Sequence, residues 1–375
     1  MRILMLLSKS YREDARVRKE AEALVAAGHS VVVVEWARHA PEAPATEEVG
    51  DVTVVRHHER GLARLVPGMV LRNPFWWRAA ARIGTQLHKG RPFDVVHCHD
   101  LDTLPAGVRL KRRLGVRLVF DAHEIFSVMV RSDRGRLVSA AADRLESRLL
   151  PQVDHLVTVN EALAERYEAR VTAPVTVVMN CPDLATPAGP PSEGLFTVVY
   201  VGLLHPSRFF PEAVHALGSM DGVRFHIAGK REGNWREVEQ AANDYPEVRF
   251  LGAIPSTDVL ERMARGHAVL CMLDPSDPQY QVATATKALD AMAVARPCIA
   301  TRGTYTGRLV EEEGTGVTVA YDATSLQAAV AALRDDPEAA ARLGAEGRKK
   351  AEKTYNWASQ AERLVRLYRS MEEET

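Results

Sequence analysis

The chain has 375 residues, of which 46% are hydrophobic and 26% are charged, with 48 Lys and Arg against 49 Asp and Glu. This length exceeds that of one typical hydrophobic core, so we expect two domains, and the composition excludes a disordered or fibrous protein. The formal net charge of −1 at pH 7 gives no sign of a nucleic-acid partner, and none is expected.

No segment of the sequence indicates secretion or membrane insertion. Met1 leads directly into a short apolar strand, and no apolar run approaches the roughly 20 residues that a membrane helix needs. The cysteines form no C-x-x-C pair, and we interpret them as buried, reduced thiols. They are Cys98, Cys181, Cys271 and Cys298. We therefore expect a cytoplasmic protein.

Strand-like and helix-like segments alternate through the first half of the chain. The apolar run "RILMLL" is typical of a strand buried on both faces, and "DARVRKEAEALVAAGHS" after it has helical spacing. Further strands are predicted at "VVVVEW", "FDVVHCH", "VRLVFDAH" and "VDHLVTVN". This alternation predicts an α/β domain over residues 1–183, with a parallel sheet covered by helices on both faces.

The pattern is interrupted near residues 181–195, where "CPDLATPAGPPSEG" has the composition of a linker. Alternation restarts at "FTVVYVG" and predicts a second doubly wound domain over residues 184–354. The helix "NWASQAERLVRLYRSM" occupies the remaining segment, 355–375. Two such Rossmann-like domains facing a cleft bind ligands at the carboxyl ends of their strands, so the functional residues should follow strands.

One ammonium and one carboxylate mark the start of a predicted helix in "ATATKALDAMAVARPCIAT". Lys287 and Asp290 share a helix face, and Thr284 or Thr286 can cap the helix, whose free N–H groups favour an anion. The pair suits a nucleoside diphosphate, with Lys287 on the phosphates and Asp290 on the ribose. A solvent-exposed salt bridge is the alternative, and spacing alone favours it.

Two further basic residues follow predicted strands in the second half. Arg208, in "VGLLHPSRFF", lies between a strand that ends at Gly202 and a helix, and an arginine there can clamp a diphosphate. Lys230 follows another strand in "HIAGKREG". A surface role explains Arg208 equally well and explains Lys230 better.

A cluster of ionisable residues ends one strand of the first half, in "VVHCHDLDTLPAG". Alternate strand residues share a face, so His97 and His99 should point together while Asp100 points away. Imidazole and carboxylate groups are metal ligands, but the spacing shows no third ligand. We therefore favour an acceptor-binding or structural role over a metal site.

The next strand ends in "FDAHEIF", which crowds Asp121, His123 and Glu124 together. A histidine at this position can donate to a substrate hydroxyl or accept a proton. A structural tie between His123 and a neighbouring carboxylate explains the pattern equally well.

The segment 56–117 is basic, with 13 Lys and Arg against four Asp and Glu. It places Phe75, Trp76 and Trp77 beside several arginines, which suits contact with an anionic membrane surface. An internal helix whose tryptophans lie in the core is the alternative, and it is slightly favoured.

Taken in order, these motifs resemble the family 4 glycosyltransferases of the GT-B fold over nearly the whole chain. "DARVRKEAEALVAAGHSVVVV" is similar to their opening strand–helix–strand unit, and "DVVHCHDLDTLPAGV", "LVFDAHEIF" and "HLVTVNEALAERY" resemble one bacterial branch. "ATKALDAMAVARPCIAT" resembles the family's donor-binding signature. "YNWASQAERLVRLY" resembles the closing helix, which in this fold crosses back to the first domain.

The resemblance implies transfer of a sugar, with retention, from a nucleoside diphosphate sugar to an acceptor hydroxyl, without a metal ion or other cofactor. It implies catalytic roles for His123, Arg208 and Lys287. The donor-binding residues are then Gly202, Arg208, Lys230, Thr286, Lys287 and Asp290. The acceptor-binding residues are Asp14, His99, Asp100 and Glu124. The acceptor is expected to be a carbohydrate, a lipid-linked molecule or another small molecule.

Three positions depart from the family pattern. Val282 stands where the family has the first glutamate of its E-x7-E motif, Asp290 replaces the second, and Ala295 stands where glycine is usual. Two alternatives therefore stay open: a nucleotide-sugar epimerase of GT-B architecture, and a non-catalytic partner protein that binds a nucleotide sugar.

Overall fold

The structure is a computed structural model, and it describes residues 1–38, 42–59, 66, 68–184, 189, 191 and 193–374. The chain divides into two compact units. The first unit contains Met1–Met179 together with Ala361–Thr375, and the second contains Asn180–Gln360. The division after Met179 lies four residues before the sequence-based boundary at residue 183.

A mostly parallel sheet forms the centre of the first unit. Its strands are β1 (Arg2–Leu7), β2 (Ser30–Trp36), β3 (Thr46–Val49), β4 (Val52–His57), β5 (Val95–His99), β6 (Arg117–Ala122), β7 (His155–Thr158) and β8 (Val175–Val177). Among the described residues their order is β3-β4-β2-β1-β5-β6-β7-β8, and only β3 pairs antiparallel. The strand order reverses between β1 and β5, where doubly wound sheets bind ligands.

Helices of the first unit connect these strands. They are α1 (Ala15–Ala26), α2 (Met69–Gly90), α3 (Leu104–Leu114), α4 (Phe126–Leu149) and α5 (Glu161–Glu168). Local signals explain their ends: the Asp14 side chain caps α1 by accepting from the Val17 N–H group, and α3 ends at Gly115 with φ 71°.

The second unit is built on a wholly parallel sheet. Its strands are β9 (Phe196–Val201), β10 (Val223–Ala228), β11 (Val248–Phe250), β12 (Ala268–Cys271), β13 (Cys298–Thr301) and β14 (Gly316–Val319). Their order among the described residues is β11-β10-β9-β12-β13-β14, so the reversal lies between β9 and β12. The helices are α6 (Glu212–Gly218), α7 (Trp235–Ala242), α8 (Val259–Ala264), α9 (Thr286–Ala293), α10 (Tyr305–Glu312), α11 (Ala323–Asp335) and α12 (Pro337–Lys353).

The last helix, α13 (Trp357–Glu373), begins in the second unit and groups with the first from Ala361 onward. Tyr368 of this helix is fully buried, and its hydroxyl lies 2.7 Å from Nδ1 of His97 on β5. At the surface, the amino terminus of Met1 lies 2.8 Å from Oε1 of Glu372. Burial and polar contacts together hold this helix on the first unit.

Both sheets confirm the predicted α/β class. Apolar strand residues fill the two cores: Ile3 and Leu4 of β1, and Val198 of β9, have no exposed surface. The four cysteines are buried and form no disulfide. Within the described part of the chain, no helix has both the length and the apolar character needed to cross a bilayer.

The predicted linker at 181–195 falls partly outside the described residues, which omit 185–188, 190 and 192. Of its described part, Gly189 accepts a hydrogen bond through its carbonyl oxygen from Nη2 of Arg296, at 2.6 Å.

Ala295, which follows the α9 segment, adopts a left-handed backbone with φ 56°. This conformation costs a residue with a Cβ atom about 1–2 kcal/mol, whereas glycine adopts it freely. Glycine loses part of that gain because it is more flexible in the unfolded chain. We therefore expect Ala295→Gly to raise the free energy of unfolding by about 0.5–1 kcal/mol, measured by urea denaturation.

A matched control is Ala329→Gly within α11, where the backbone is helical. Glycine in a helix interior destabilises by about 1 kcal/mol relative to alanine, so this variant should shift the urea midpoint downward. A midpoint below wild type for Ala295→Gly as well would contradict the backbone explanation.

Candidate active site

A group of ionisable side chains lies at the carboxyl ends of β5 and β6 in the first unit. His97 and His99 come from β5 and Asp121 from β6, and the parallel register aligns His99 with Asp121. As predicted, the two histidines point together, with ring centroids 4.4 Å apart. We call this group the strand-end cluster, and its members are Arg16, Glu20, His97, His99, Asp100, Asp121 and His123.

His123 lies between two carboxylates. Its Nδ1 is 2.7 Å from Oδ1 of Asp100, and its Nε2 is 2.6 Å from Oδ2 of Asp121. Burial and the charge of Arg16 lower the pKa of His123, but the two carboxylates outweigh them and raise it to about 9. The ring is therefore a doubly hydrogen-bonded cation at neutral pH, rather than a base with a free lone pair.

Asp100 directly follows β5 and has a left-handed backbone, with φ 64°. Burial alone would raise the pKa of its carboxyl, but His123 and then Arg16 hold that pKa well below its usual range. The side chain remains 18% exposed, so an ionised oxygen is available at the surface of the cluster. A strained backbone at such a position is often associated with function.

Helix α1 contributes two residues that the sequence analysis did not select. Arg16 has its Nη2 4.0 Å from Oδ2 of Asp100, and its Nε 3.9 Å from Oε1 of Glu20. Glu20 is only 2% exposed. The available signal was a glutamate on the helix face that also carries Val17 and Leu24, both of which are fully buried.

The structure separates the predicted acceptor-binding residues by accessibility. Asp100 and Glu124 retain exposed surface, and burial followed by the charge of Asp100 raises the pKa of Glu124. His99 has no exposed surface, so the predicted contact between its side chain and an acceptor is unavailable in this structure. Asp14 uses its carboxylate to cap α1 and to pair with Lys9 at 3.0 Å, which is a structural role.

In the second unit, Lys287 lies in the first turn of α9 and is 8% exposed. This burial excludes the solvent-exposed salt bridge considered from the sequence. Its Nζ lies 5.0 Å from the centroid of the Tyr200 ring, a cation–π contact. A Cβ atom at Gly202 would come within 2.8 Å of Nζ, so glycine leaves the space that the ammonium occupies.

Arg208 is a second cation in this region. Its guanidinium lies 4.9 Å from the Tyr280 ring centroid, and its Nε is buried without a hydrogen-bond partner among the described residues. Burial and then the charge of Arg208 lower the pKa of Lys287. Two partly desolvated cations that repel each other form a site suited to an anion.

The predicted threonine cap of α9 is wrong. The cap position is Ala285, which makes no side-chain cap hydrogen bond, and Thr286 is the first helical residue. The hydroxyl of Thr306 instead accepts from the Ala285 N–H group at 2.9 Å and donates to the Ala283 carbonyl at 3.0 Å. The preceding segment is thereby held from α10, and Thr286 keeps an exposed side chain at the helix start.

A cavity of about 290 Å³ is lined in part by Gly202, the residue next to the Lys287 ammonium. Loops after β9, β10 and β11 form it, and Gly202 and Lys230 contribute to its wall. The full lining is Val201, Gly202, Leu203, Gly229, Lys230, Glu232, Ala253 and Ile254. Its size and largely aliphatic wall suit a flat aromatic ring such as a nucleobase.

Asp290 lies one turn after Lys287 on α9 and is half-buried. Val282, at the position of the family's first glutamate, follows the short helical turn Pro278–Gln281 and is also half-buried. The structure thus brings Gly202, Arg208 and Lys287 together, with Lys230 across the adjoining cavity.

Two protein-family models match the chain. Residues 14–182 match the glycosyl transferase 4-like domain, and residues 196–336 match the glycosyl transferases group 1 domain. The chain is also 27% identical over 382 residues to glycogen synthase of Mycobacterium tuberculosis, covering 92% of this chain and 88% of that protein.

Solved structures show the same fold. Sucrose-phosphate synthase from Thermosynechococcus elongatus superposes with a TM-score of 0.79 at 18% identity, over all of both chains. Alr3699/HepE from Anabaena, solved with UDP and glucose, gives a TM-score of 0.71 at 16% identity, over 99% of this chain and 100% of that one.

Proposed function

Because the chain belongs to the group 1 glycosyltransferases of the GT-B fold, we propose that it transfers a sugar from a nucleoside diphosphate sugar to an acceptor hydroxyl. We propose further that the anomeric configuration is retained, and that no metal ion binds the diphosphate. The first unit would bind the acceptor, and the second would bind the donor.

The observation that carries this proposal is the pair of cations in the second unit. Arg208 has a buried, unsatisfied Nε among the described residues, and Lys287 is buried beside it with a lowered pKa. A diphosphate would supply the negative charge that both groups lack. The adjoining cavity, partly lined by Lys230, would take the base, and Asp290 would accept hydrogen bonds from the ribose.

The solved relative from Anabaena supports a nucleotide donor, since it was determined with UDP and glucose. In this proposal, fixed cations of the protein take the place of a metal ion on the diphosphate. Negative charge grows on the leaving diphosphate as the sugar bond breaks, and fixed cations stabilise that charge without reorganising. Arg208, Lys287 and the backbone N–H group of Thr286 would provide this stabilisation.

Retention follows, in this proposal, from front-face attack by the acceptor, assisted by the departing diphosphate. In the first unit, the exposed oxygens of Asp100 and Glu124 would bind hydroxyl groups. His123 has both nitrogens on carboxylates, so it would act by fixing Asp100 in place. The acceptor would be a carbohydrate, a lipid-linked molecule or another small molecule with a free hydroxyl.

A thermal-shift screen of UDP-, GDP-, ADP- and dTDP-sugars tests donor binding. A ligand at 100 times its dissociation constant stabilises the native state by about 2.7 kcal/mol, which raises the melting temperature measurably. Donors that bind are then incubated with candidate acceptors and analysed by mass spectrometry. Formation of the epimeric nucleotide sugar without acceptor would indicate an epimerase, and binding without transfer or hydrolysis would indicate a non-catalytic protein.

Peripheral membrane contact through the segment 56–117 is a further part of the proposal. Trp76 is fully buried and stacks on Trp36 with ring centroids 5.5 Å apart. This tryptophan therefore belongs to the core, in agreement with the alternative of an internal helix. Leu71 and Phe75 of α2 are 60% and 42% exposed. Exposed arginines follow on the same helix face, at Arg78 and Arg82. Residues 60–65 and 67 lie outside the described chain.

Flotation with anionic vesicles at low salt checks this contact. Each basic residue near an anionic surface contributes about 1 kcal/mol, so the double variant Arg78→Glu/Arg82→Glu should lose most vesicle binding. Arg342→Glu, on α12 with a side chain 68% exposed, is the matched control and should float like wild type. Absence of wild-type protein from the vesicle fraction would remove the membrane contact.

The buried, free cysteines support a cytoplasmic location.

A further inference from the structure

The interior of the strand-end cluster contains buried polar atoms that have no hydrogen-bond partner in the part of the chain that the structure describes. Glu20, His97, His99 and Asp121 have 2%, 0%, 0% and 1% of their surface exposed. Within the described chain, Oε2 of Glu20 and Nε2 of His97 have no hydrogen-bond partner. Buried polar atoms are nearly always satisfied, so these two atoms call for an explanation.

The unsatisfied atoms face each other. Nε2 of His97 lies 4.0 Å from Oε2 of Glu20 and 3.8 Å from Oδ2 of Asp121. Nδ1 of His99 lies 3.9 Å from the same Glu20 oxygen and 3.0 Å from the same Asp121 oxygen. One ligand atom from each of the four residues therefore fits within a span of 4.8 Å.

We propose that Glu20, His97, His99 and Asp121 bind a divalent transition-metal ion, and that Zn²⁺ matches this donor set best. Two imidazoles with two carboxylates suit zinc, and four protein ligands in a closed site are typical of a structural ion. Tetrahedral ligands at zinc distances lie about 3.4 Å apart, whereas these four atoms span 4.8 Å, so the side chains would move by up to about 1.4 Å to close on the ion.

The surroundings of the ligands support this assignment. Nδ1 of His97 lies 2.7 Å from the buried hydroxyl of Tyr368. When this N–H group donates to the tyrosine oxygen, the lone pair of Nε2 is directed at the proposed ion. Oδ2 of Asp121 lies 2.6 Å from Nε2 of His123, which orients the carboxylate. Hydrogen bonds of this kind to first ligands are general features of metal sites.

This assignment departs from the expectation of no metal, which rested on the family and on the lack of a third ligand in the sequence. Glu20 and Asp121 now supply that ligand and a fourth.

The proposed ion would link three distant segments of the first unit. Glu20 comes from α1, the histidines from β5 and Asp121 from β6, while Tyr368 of α13 holds one ligand from behind. The residues proposed to bind the diphosphate belong to the second unit, and none of the four proposed metal ligands is among them. The inference does not depend on the proposed transfer reaction.

Metal analysis of the full-length protein tests the site. Untagged protein from zinc-supplemented medium, purified without a metal column, should contain about one zinc per chain by mass spectrometry. His97→Gln and Glu20→Gln should each contain less than a fifth of that amount. The control His155→Gln, at the start of β7 and outside the cluster, should keep the wild-type content.

Cobalt and a conservative variant keep the test informative if a ligand variant fails to fold. Wild-type protein stripped with a chelator and given Co²⁺ should show the visible absorption of a tetrahedral ion. Tyr368→Phe keeps all four ligands but loses the orienting hydroxyl, and it should bind zinc about 10- to 100-fold more weakly. Wild-type protein with no stoichiometric metal and no cobalt spectrum would overturn the proposal, leaving a proton or an internal water between these groups.

Discussion

Replacing Lys287 is expected to slow sugar transfer more than it weakens donor binding. Lys287→Met keeps the length of the buried side chain but removes its charge from the proposed diphosphate site. Because charge on the diphosphate grows as the sugar bond breaks, we expect kcat to fall by about 10²–10³-fold. The free energy of unfolding should not fall, since burial and Arg208 already disfavour the ammonium. Pre-steady-state kinetics and calorimetry with the donor measure the two effects.

Asp290→Asn is expected to weaken nucleotide binding, in contrast to the effect of Lys287→Met on kcat. The substitution keeps the shape but weakens charge-assisted hydrogen bonds to the ribose, each worth about 1.5–3 kcal/mol. Affinity should therefore fall by about 10- to 150-fold for the free nucleoside diphosphate as well as for the sugar donor. Lys349→Ala on α12, whose side chain is 72% exposed, is the control and should match wild type. Wild-type affinity and kcat in both active-site variants would remove this helix from the mechanism.

His123→Ala is expected to lower kcat by about 10²-fold or more. Removal of the imidazolium leaves Asp100 without the group that fixes it at the surface of the cluster. The structure also predicts a loss of stability. The buried Asp121 and the partly exposed Asp100 lose a shared cation, and breaking a buried ion pair typically destabilises by about 3–5 kcal/mol.

Turnover must therefore be measured per folded molecule, well below the melting temperature, with the folded fraction taken from circular dichroism. His155→Ala is the matched histidine control, because its side chain lies at the amino end of β7 and outside the cluster. We expect the control to keep wild-type kcat. A His123→Ala enzyme that turns over normally once folded would show that the histidine only supports the fold.

The structure shows what two of the departures from the family pattern mean physically. Ala295 keeps the left-handed turn that glycine normally serves, at a cost that Ala295→Gly should recover. Val282 offers no carboxylate, so in the proposed donor complex contacts to the transferred sugar would come from other groups. The screen of nucleotide sugars is the direct test of what this change does to donor choice.

The sequence by itself determined the architecture and pointed to most residues of the proposed donor site. Apolar strand runs and helical spacing are local signals, so they sufficed for two doubly wound α/β units and for the segments after strands that contain His123, Arg208 and Lys287. Residue spacing could not decide whether Lys287 is buried or exposed to solvent, because both arrangements have the same spacing. It also misplaced the cap of α9, since Thr306, on α10, holds the preceding segment.

Only the tertiary structure decided which groups meet inside the first unit. Glu20 lies more than 70 residues before His97, and Tyr368 lies 271 residues after it, yet all three converge on one buried site. Likewise, the two carboxylates on His123 follow from the parallel alignment of β5 with β6 and from the backbone turn at Asp100. Contacts of this kind depend on strand order and on the packing of side chains distant in sequence. The periodicity of a sequence cannot identify such partners, because it shows only which face of an element is buried.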